Sequence, residues 1–434
     1  MEEKFDAAIV GAGPAGISAA CILADRGVKV IVLERGEYPG SKNMFGGVLY
    51  GRCLGRIIPD YAQKNCPIER NIVESRISYL SEQGSISFAY RDHAFFEELQ
   101  NNAFTVGRAK FDRWFADQAR AKGALVVCST VVTDLLRDEA GRVIGVKTDR
   151  ADGDLRAKVV LLADGVNSPL AARSGFRPEV RPGKVALAVK ELIALPEEVI
   201  DERFGVSAGN GVTNEILGNV TAGMNGVAFI YTNRRSVSIG IGANLSDFAR
   251  QRVRPYEMIE RLKLHPAISP LIKDGKPTEY IAHWLPEGGF ETVPKLFGDG
   301  FLIAGDSAML FNALHREGSN LAMASGRLAA ATILDAMGKG DFSSRTLQAY
   351  GARLEESFVL KDLKKYRRFP SFLETHKELF TTLPDGVSAA LRKILTVDET
   401  PKKTSQRAAW QAMRSRTAPL RLLHLIWDAW RSIR

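Results

Sequence analysis

Cysteine is scarce in this sequence and confined to its first third. The 434 residues contain four cysteines, Cys21, Cys53, Cys66 and Cys128. No two of them form a CxxC pair, which excludes a zinc ribbon or a cysteine-ligated iron–sulfur cluster within the chain, and we expect no metal site. The spacing shows no disulfide framework, so we expect the protein to work in a reducing compartment.

Long hydrophobic runs are also missing. The longest uncharged run, residues 216–233, is interrupted by Asn, Gly and Thr, and it predicts two strands joined by a turn instead of a membrane span. The first residues, MEEKFDAAIVG, are acidic and enter a strand at once, so we expect no signal peptide.

Positive charge is concentrated at one end of the chain. The formal net charge is +9, and residues 401–434 contain eight Lys or Arg against the single acid Asp428, a net of +7. The rest of the chain is therefore nearly neutral. A charge confined to a tail favours a local surface partner over nucleic acid.

A glycine-rich turn lies near the start, inside a strand, a helix and a second strand predicted over residues 5–34. The turn is the GxGxxG pattern Gly11, Ala12, Gly13, Pro14, Ala15 and Gly16. Gly11 permits a tight turn, Gly13 lets a pyrophosphate approach the backbone, and Gly16 lets the helix pack closely on the strand. Phosphates would then lie at the helix N-terminus.

An acidic residue follows this turn at the spacing of a dinucleotide site. Glu34 ends the second strand, 23 residues after Gly11, where a carboxylate can accept hydrogen bonds from ribose hydroxyls. We expect Glu34 and the adjacent Arg35 to contact a dinucleotide. The alternative is a plain doubly wound sheet whose glycine turn binds nothing.

Three later segments indicate which dinucleotide is bound. They are a helix preceded by Arg108 with a strand ending at Val132, a strand ending at an Asp-Gly pair, and a strand ending at a Gly-Asp pair with a long helix after it. Their marker residues are Arg108, Val132, Asp164, Gly165, Gly305 and Asp306. In this order the segments resemble flavoproteins that bind FAD on the hydroxybenzoate hydroxylase and glutathione reductase folds.

This resemblance implies specific contacts to FAD. Asp306 would contact the ribityl chain, and Arg108 would meet the pyrophosphate. The long helix opens at Gly318, Ser319 and Asn320, and its N-terminus would stabilise negative charge on the N1–C2=O edge of the flavin. The alternative role for Asp306 is that of a helix cap.

Several unusual strings narrow the resemblance to one family. They are GSKNMFGGVLYG, VKELIALPEEVIDERF, AHWLPEGGF, VPKLFGDGFLIAGDSAM and GSNLAMASG. The chain resembles the FixC family, FAD subunits related to electron-transfer-flavoprotein:quinone oxidoreductase, over about its first 400 residues. The Gly46-Gly47 pair would let the backbone pass close to the flavin ring, and Lys42 and Asn43 would donate to the ring or to the phosphates. The alternative is a glycine turn beside a solvated lysine.

The fold class implied is α/β. A Rossmann-like FAD-binding domain of the glutathione reductase type would carry an inserted antiparallel-sheet domain for quinone, followed by a helical C-terminal region. The FAD-binding domain would comprise residues 1–75, 108–185 and 286–340. The inserted domain would comprise 76–107 and 186–285, and the helical region 341–434.

The resemblance also implies partners. Longer members of the family carry a four-cysteine cluster that this sequence lacks, which implies a separate ferredoxin-like iron–sulfur subunit together with a two-subunit electron-transfer flavoprotein. Electrons from NADH would be bifurcated there, and one branch would reach this FAD and then membrane quinone. His283, His315 and Arg316 are weak candidates for the quinone site. The alternative, which is the more common one for such residues, is that each is a structural polar residue.

The last segment, LRLLHLIWDAWRSIR, places Leu, Ile and Trp near one helical face with arginines around it. This pattern is typical of a helix lying in a bilayer interface, although docking onto a partner subunit explains it equally well. We expect a cytoplasmic protein in peripheral contact with the inner face of the membrane. Three other functions remain open: a geranylgeranyl (prenyl-lipid) reductase, an aromatic hydroxylase, and a non-catalytic flavin-bearing subunit that docks partners to a membrane.

Overall fold

The structure is a computed structural model. It describes residues 4–43, 47–92, 94, 103–207 and 209–434. The chain divides into two compact units. The first contains residues 1–68, 100–181 and 284–367, and the second contains 69–99, 182–283 and 368–434. The domain boundaries expected from the sequence stay predictions.

Within the described residues, the strands are β1 (Lys4–Val10), β2 (Val30–Leu33), β3 (Val48–Tyr50), β4 (Ile68–Leu80), β5 (Ser85–Arg91), β6 (Ala103–Val106), β7 (Leu125–Val127), β8 (Val132–Arg137), β9 (Val143–Thr148), β10 (Leu155–Leu162), β11 (Val185–Ala194), β12 (Asn210–Gly218), β13 (Gly226–Thr232), β14 (Ser236–Asn244), β15 (Lys276–Pro286), β16 (Phe297–Gly298) and β17 (Phe301–Ile303).

The α-helices of the same residues are α1 (Pro14–Asp25), α2 (Gly51–Gly55), α3 (Arg108–Ala121), α4 (Pro169–Arg173), α5 (Glu197–Phe204), α6 (Leu245–Gln251), α7 (Pro255–Leu264), α8 (Ser269–Ile272), α9 (Ser319–Lys339), α10 (Ser344–Leu347), α11 (Ala349–Glu356), α12 (Phe358–Lys365), α13 (Phe369–Thr375), α14 (Thr382–Leu395), α15 (Lys402–Arg414) and α16 (Pro419–Ile433).

The first unit is built on a parallel sheet. Its strand order is β17-β10-β1-β2-β7, all parallel, with β16 antiparallel to β17 at one edge and β9 antiparallel to β10. The β1, β2 and β10 side chains are largely buried, as expected for strands covered on both faces. The α/β FAD-binding fold predicted from the sequence is confirmed.

The expected strand over 125–132 is interrupted. The chain leaves the sheet after Val127, adopts a positive φ of 49° at Ser129, and Val132 begins the separate strand β8, which pairs with β9. Arg108, expected just before a helix, is instead the first residue of α3, after Gly107.

The second unit contains an antiparallel sheet. Strands β11, β14, β13 and β12 pair antiparallel in that order, and β4 joins β12 in parallel register. Helix α7 buries Met258, Ile259 and Leu262 in the core formed with these strands. Helix α7 ends at Leu264, because the following His265 precedes a proline and adopts an extended conformation.

The C-terminal part of the second unit is helical, as predicted. It consists of α13, α14, α15 and α16, together with a short 3-10 turn at Lys377–Phe380. No helix in the described ranges is long and apolar enough to cross a membrane.

Candidate functional site

The glycine-rich turn between β1 and α1 has space at one position only. A Cβ atom at Gly11, where φ is +103°, would lie 2.3 Å from the carbonyl oxygen of Ala163, and one at Gly16 would lie 2.1 Å from the carbonyl oxygen of Gly11. A Cβ atom at Gly13 would meet no atom within 4 Å. Packing therefore requires glycine at positions 11 and 16, whereas Gly13 keeps open the space in front of the helix.

Helix α1 begins directly behind that space. Gly13 is its N-cap residue and Pro14 its first residue, and no side chain caps its free amides. Proline suits this position because its missing N–H would have had no helical partner. The open amides and the helix dipole make this turn suitable for an anion such as a pyrophosphate.

Glu34 makes two backbone hydrogen bonds in addition to the ribose contact expected of it. Its Oε2 accepts a hydrogen bond from the amide of Ala12 at 2.9 Å, and its Oε1 accepts one from the amide of Gly36 at 2.7 Å. The carboxylate thus ties the glycine turn to the loop after β2. Each oxygen retains a lone pair that a ribose hydroxyl could use.

The loop that follows β2 holds the other residues expected near the cofactor. Arg35 and Lys42 are exposed, and the amide of Asn43 donates to the carbonyl of Gly40 at 3.1 Å. Gly46 lies outside the described residues. The carbonyl of Gly47 accepts from the amide of Val106 at 2.8 Å.

Arg108 is buried in the first turn of α3. Its guanidinium donates to both carboxylate oxygens of Asp112, at 3.1 and 2.9 Å, and the two side chains are 4% and 2% exposed. Burial raises the pKa of Asp112 while the positive charge of Arg108 opposes that shift. This pair holds the guanidinium in place at a helix N-terminus.

Asp306 lies in the 3-10 turn Gly305–Ala308, just after β17. The cap residues of this turn and of α9 are Ala304 and Gly318, and the role of Asp306 toward a cofactor stays a prediction. Surrounding protein desolvates the carboxyl and raises its pKa to about 6, against the opposing charge of Arg108. An acid in this setting is stabilised by a hydroxyl donor, which is what a ribityl chain offers.

The Asp-Gly pair is joined by hydrogen bonds to Ser307, the residue after the Gly-Asp pair. Asp164 Oδ1 accepts from the hydroxyls of Ser307 at 3.0 Å and Ser168 at 2.7 Å. The Ser307 hydroxyl also accepts from the amide of Gly165 at 2.9 Å, and Arg177 donates to the Ser307 carbonyl at 3.0 Å. Burial raises the pKa of Asp164, whose Oδ2 is buried and has no partner in the protein.

Gly305 lies where α1 and α9 approach each other. A Cβ atom there would be 2.9 Å from the Cβ of Ala15, and a Cβ atom at Gly326 would be 2.0 Å from the Ala15 carbonyl oxygen. The small residues of the two helices therefore bring their N-terminal turns together beside Asp306.

Hydrogen bonds within the preceding loop hold the N-terminus of α9 in place. The backbones of Asn312 and Glu317 exchange two hydrogen bonds, and the Asn312 Oδ1 accepts from the amides of Leu314 and His315. Asn320 Nδ2 donates to the carboxylate of Glu317 at 3.0 Å, while its own Oδ1 is buried without a partner in the protein. Gly318 is the N-cap, and Ser319 Oγ lies 3.4 Å from the carbonyl of Val48.

The candidate quinone residues have different surroundings. Arg316, at a positive φ of 54°, pairs with Glu287 at 3.1 Å, and burial raises the pKa of Glu287 in spite of this cation. His315 is exposed and packs edge-on against Tyr366. His283 lies in β15 in the other unit. A role for any of the three in quinone chemistry stays a prediction.

Several residues of the site were not predicted from the sequence. Asp112 could have been found, because it stands four residues after Arg108, the spacing of a helical ion pair. Ser307, Arg177 and Glu287 gave no local signal, since the contacts that place them in the site join residues 29 to 143 positions apart in sequence.

These residues fit FAD. The space at Gly13 and the open amides of α1 suit the diphosphate, Asp306 suits the ribityl hydroxyls, and the N-terminus of α9 suits the polar edge of the flavin. Asp164 and Asn320 each keep a buried oxygen that no protein group satisfies. Such atoms are rare in folded proteins unless a ligand or water reaches them.

Comparisons with known proteins agree. Two family models described as FAD dependent oxidoreductase match residues 6–177 and 99–332, and the ETF-QO/FixC family C-terminal domain matches 369–434. Protein FixC of Azorhizobium caulinodans is 46% identical over 414 residues, covering 95% of each chain. Protein FixC of Azotobacter vinelandii is 44% identical over 437 residues, covering 100% of each.

A solved structure shows the same fold. A geranylgeranyl bacteriochlorophyll reductase-like protein from Thermoplasma acidophilum has a TM-score of 0.74 and 21% identity, and it covers 98% of this chain and 99% of its own. The protein is thus an FAD-dependent oxidoreductase. More narrowly, the chain belongs to the ETF-QO/FixC family.

The family match corrects one expectation about the C-terminus. The resemblance was expected to stop near residue 400, but the C-terminal domain of the family extends through residues 369–434, and the relative from Azotobacter vinelandii aligns along the whole chain. The basic tail is therefore part of what the family shares.

Proposed function

We propose that this protein passes electrons through FAD to a membrane quinone, as the quinone-reducing subunit of an electron-transfer-flavoprotein complex of the Fix type. The observation that carries the proposal is similarity to FixC proteins along nearly the whole chain, including the C-terminal segment. FAD, when bound, accepts electrons singly or in pairs and so links a one-electron donor to a two-electron acceptor.

In this proposal the chain binds and orients the cofactor. The α1 amides beside Gly13 hold the diphosphate with the help of Arg108, and Asp306 accepts from the ribityl hydroxyls. Glu34 and Arg35 contact the adenosine end. Lys42, Asn43, Gly46 and Gly47 line the ring, and Gly318, Ser319 and Asn320 present the helix dipole to its polar edge. Val132, Asp164 and Gly165 support these contacts from the neighbouring strands.

The donor is proposed to be a separate iron–sulfur protein. The four cysteines are free thiols, and no group of three His, Cys, Asp or Glu in the described ranges could hold a metal ion. A ferredoxin-like subunit would carry the cluster, and a two-subunit flavoprotein that bifurcates electrons from NADH would feed it.

Helix α16 supports a peripheral membrane contact. Six of its apolar residues are 45–75% exposed, and we call them the apolar stripe: Leu420, Leu423, Ile426, Trp427, Trp430 and Ile433. They recur at helical spacing, with Arg421, Arg431 and Arg434 around them. Tryptophan beside arginine on an exposed apolar face favours a helix lying in a bilayer interface. In this proposal the protein works at the inner face of the membrane.

The test is anaerobic reoxidation of the flavin. The purified protein would be photoreduced with a donor and then mixed with a menaquinone analogue or with a geranylgeranyl lipid, while the flavin absorbance is followed. Free reduced FAD is the control, because quinones oxidise it without any binding site. We expect saturable reoxidation by the quinone alone, at a rate above that of free FAD.

Other outcomes would contradict the proposal. Reoxidation by the unsaturated lipid, with consumption of its double bonds, would make the protein a prenyl-lipid reductase. Failure of the flavin to be reoxidised by either acceptor, with or without the partner subunits, would make it a non-catalytic docking subunit.

A further inference from the structure

A cleft of about 410 Å³ lies in the second unit, beside the apolar stripe. Residues 375–382 form one wall, and the first turns of α16 contribute Arg421 and His424 to the other. Both residues belong to the helix that carries the stripe, and His424 stands four residues after Leu420 and three before Trp427. The mouth of the cleft therefore borders the stripe.

The walls of the cleft are joined by polar contacts. The His376 ring bridges two carboxylates, with Nδ1 2.8 Å from Glu378 and Nε2 3.1 Å from Asp428 of α16. Lys377 is held by Asp247 at 2.8 Å. The contact between His376 and Asp428 attaches α16 to one wall of the cleft, and the contact between Lys377 and Asp247 ties that wall to α6.

Donors remain available inside it. Lys377 gives one of its three N–H groups to Asp247 and retains two. Within the described residues Arg421 makes only the backbone contacts of its helix, and the His424 ring has no hydrogen-bonding partner. Glu378 is the one acid among the lining residues, and its Oε1 is occupied by His376. Lys377 and Arg421 outnumber Glu378 among the charged lining residues, and their N–H donors suit a phosphate.

We propose that this cleft binds the phosphate of an anionic phospholipid headgroup while the apolar stripe enters the acyl region beside it. The proposal rests on the membrane contact in the proposed function. Charge complementarity supports it, because residues 401–434 have a net charge of +7 and anionic lipid attracts basic segments. The apolar stripe supplies the other part of a lipid site, an apolar surface next to the position of the phosphate.

The experiment measures binding of the holoprotein to vesicles of phosphatidylcholine with and without phosphatidylglycerol. The test variants are Arg421→Gln and His424→Leu, with His424→Gln as a variant that keeps an N–H donor. The matched control is Arg431→Gln, which removes the same charge from the same helix at a residue that does not line the cleft. Circular dichroism and flavin absorbance would verify that each variant is folded.

We expect Arg421→Gln to weaken binding to the phosphatidylglycerol vesicles about fivefold more than Arg431→Gln does, because only Arg421 donates directed charge-assisted hydrogen bonds. Binding to phosphatidylcholine alone should change little in both. His424→Leu should weaken binding to the anionic vesicles, and His424→Gln should restore part of it.

Equal losses in Arg421→Gln and Arg431→Gln would overturn the headgroup site and leave only diffuse attraction to the membrane, with quinone reduction intact. Saturable binding of glycerol 3-phosphate without vesicles, abolished by Arg421→Gln, would also overturn it, because the cleft would then serve a soluble phosphate. A wild-type protein that binds neither vesicle would overturn both this site and the membrane contact of the proposed function.

Discussion

The two helices that converge at Asp306 begin in different ways. Helix α1 begins at a turn made of backbone, in which a Cβ atom added at Gly11 or Gly16 would lie only 2.1 to 2.3 Å from a backbone oxygen. No side chain caps the amides of this helix. Helix α9 begins at a loop made of side-chain contacts, where Asn312, Glu317 and Asn320 bond to one another and to the backbone. The first start suits a diphosphate, and the second suits the polar edge of a ring.

This difference determines how strongly a substitution affects the N-terminus of each helix. Backbone contacts at a glycine have no room to adjust, so a single methyl group disrupts them. A side-chain network loses one bond at a time, and its members can rearrange. We therefore expect large effects from the glycines and smaller ones from the polar residues.

The largest effect is expected at Gly326, where α9 packs on α1. Gly326→Ala would place Cβ 2.0 Å from the Ala15 carbonyl oxygen. We expect a loss of at least about 3 kcal/mol in the free energy of unfolding, together with loss of bound FAD. Gly338→Ala on the same helix is the control, since its Cβ meets nothing within 4 Å, and it should stabilise by up to about 1 kcal/mol. Equal effects in denaturant unfolding would refute the packing argument.

The next effect depends on pH and concerns Asp306, between the two helix starts. Its pKa is raised to about 6 from an ordinary value of 3.8, so the folded protein holds this proton more tightly than the unfolded chain. The resulting stability is present below pH 4 and is lost as pH rises through 6. Between pH 4 and 8 the loss should be about 1 to 3 kcal/mol.

Asp306→Asn removes this pH dependence. In protein freed of FAD, the variant should be more stable than the wild type at pH 8 and should lose that advantage at pH 4, as measured by urea unfolding. It should also bind FAD more weakly, since an amide is a poorer acceptor for hydroxyls than a carboxylate. A wild-type advantage at pH 8 would contradict the assignment.

A smaller effect is expected at Glu34, whose side chain supports the first helix start. Glu34→Gln replaces a charged acceptor of two amide hydrogen bonds, to Ala12 and Gly36, by an amide with one oxygen. We expect a loss of about 1 to 2 kcal/mol in stability and weaker FAD binding in isothermal titration. Exposed Glu37→Gln is the control, and a similar change there would attribute the effect to net charge.

The smallest effect is expected in the loop that precedes helix α9. Glu287→Gln removes the charge that pairs with Arg316. The Glu287 side chain is 18% exposed and the Arg316 side chain 20%. Because these side chains are partly exposed and burial already opposes the charge of Glu287, we expect stability to change by no more than about 1 kcal/mol. The reduction potential of the flavin should shift in Glu287→Gln and stay constant in the exposed control Glu291→Gln. A loss as large as that of Gly326→Ala would mean that the loop before α9 tolerates change no better than the contact between α9 and α1.

Much of this protein was determined by the sequence alone. The glycine turn and Glu34 follow local rules, because spacing along a helix or strand places neighbouring side chains without reference to the rest of the fold. The start of α9 at Ser319 was predicted for the same reason. Strands β10 and β17 end at Leu162 and Ile303, two residues before the Asp-Gly and Gly-Asp pairs at which the sequence predicted their ends.

Tertiary structure alone decided how those segments meet. Ser307 joins Asp164 across 143 residues, and Glu287 reaches Arg316 across 29, by contacts that no periodicity encodes. The tertiary structure also decided that the apolar stripe of α16 faces outward. An amphipathic pattern says that a helix has an apolar face, but only the packing of the surrounding chain shows whether that face is buried or left exposed.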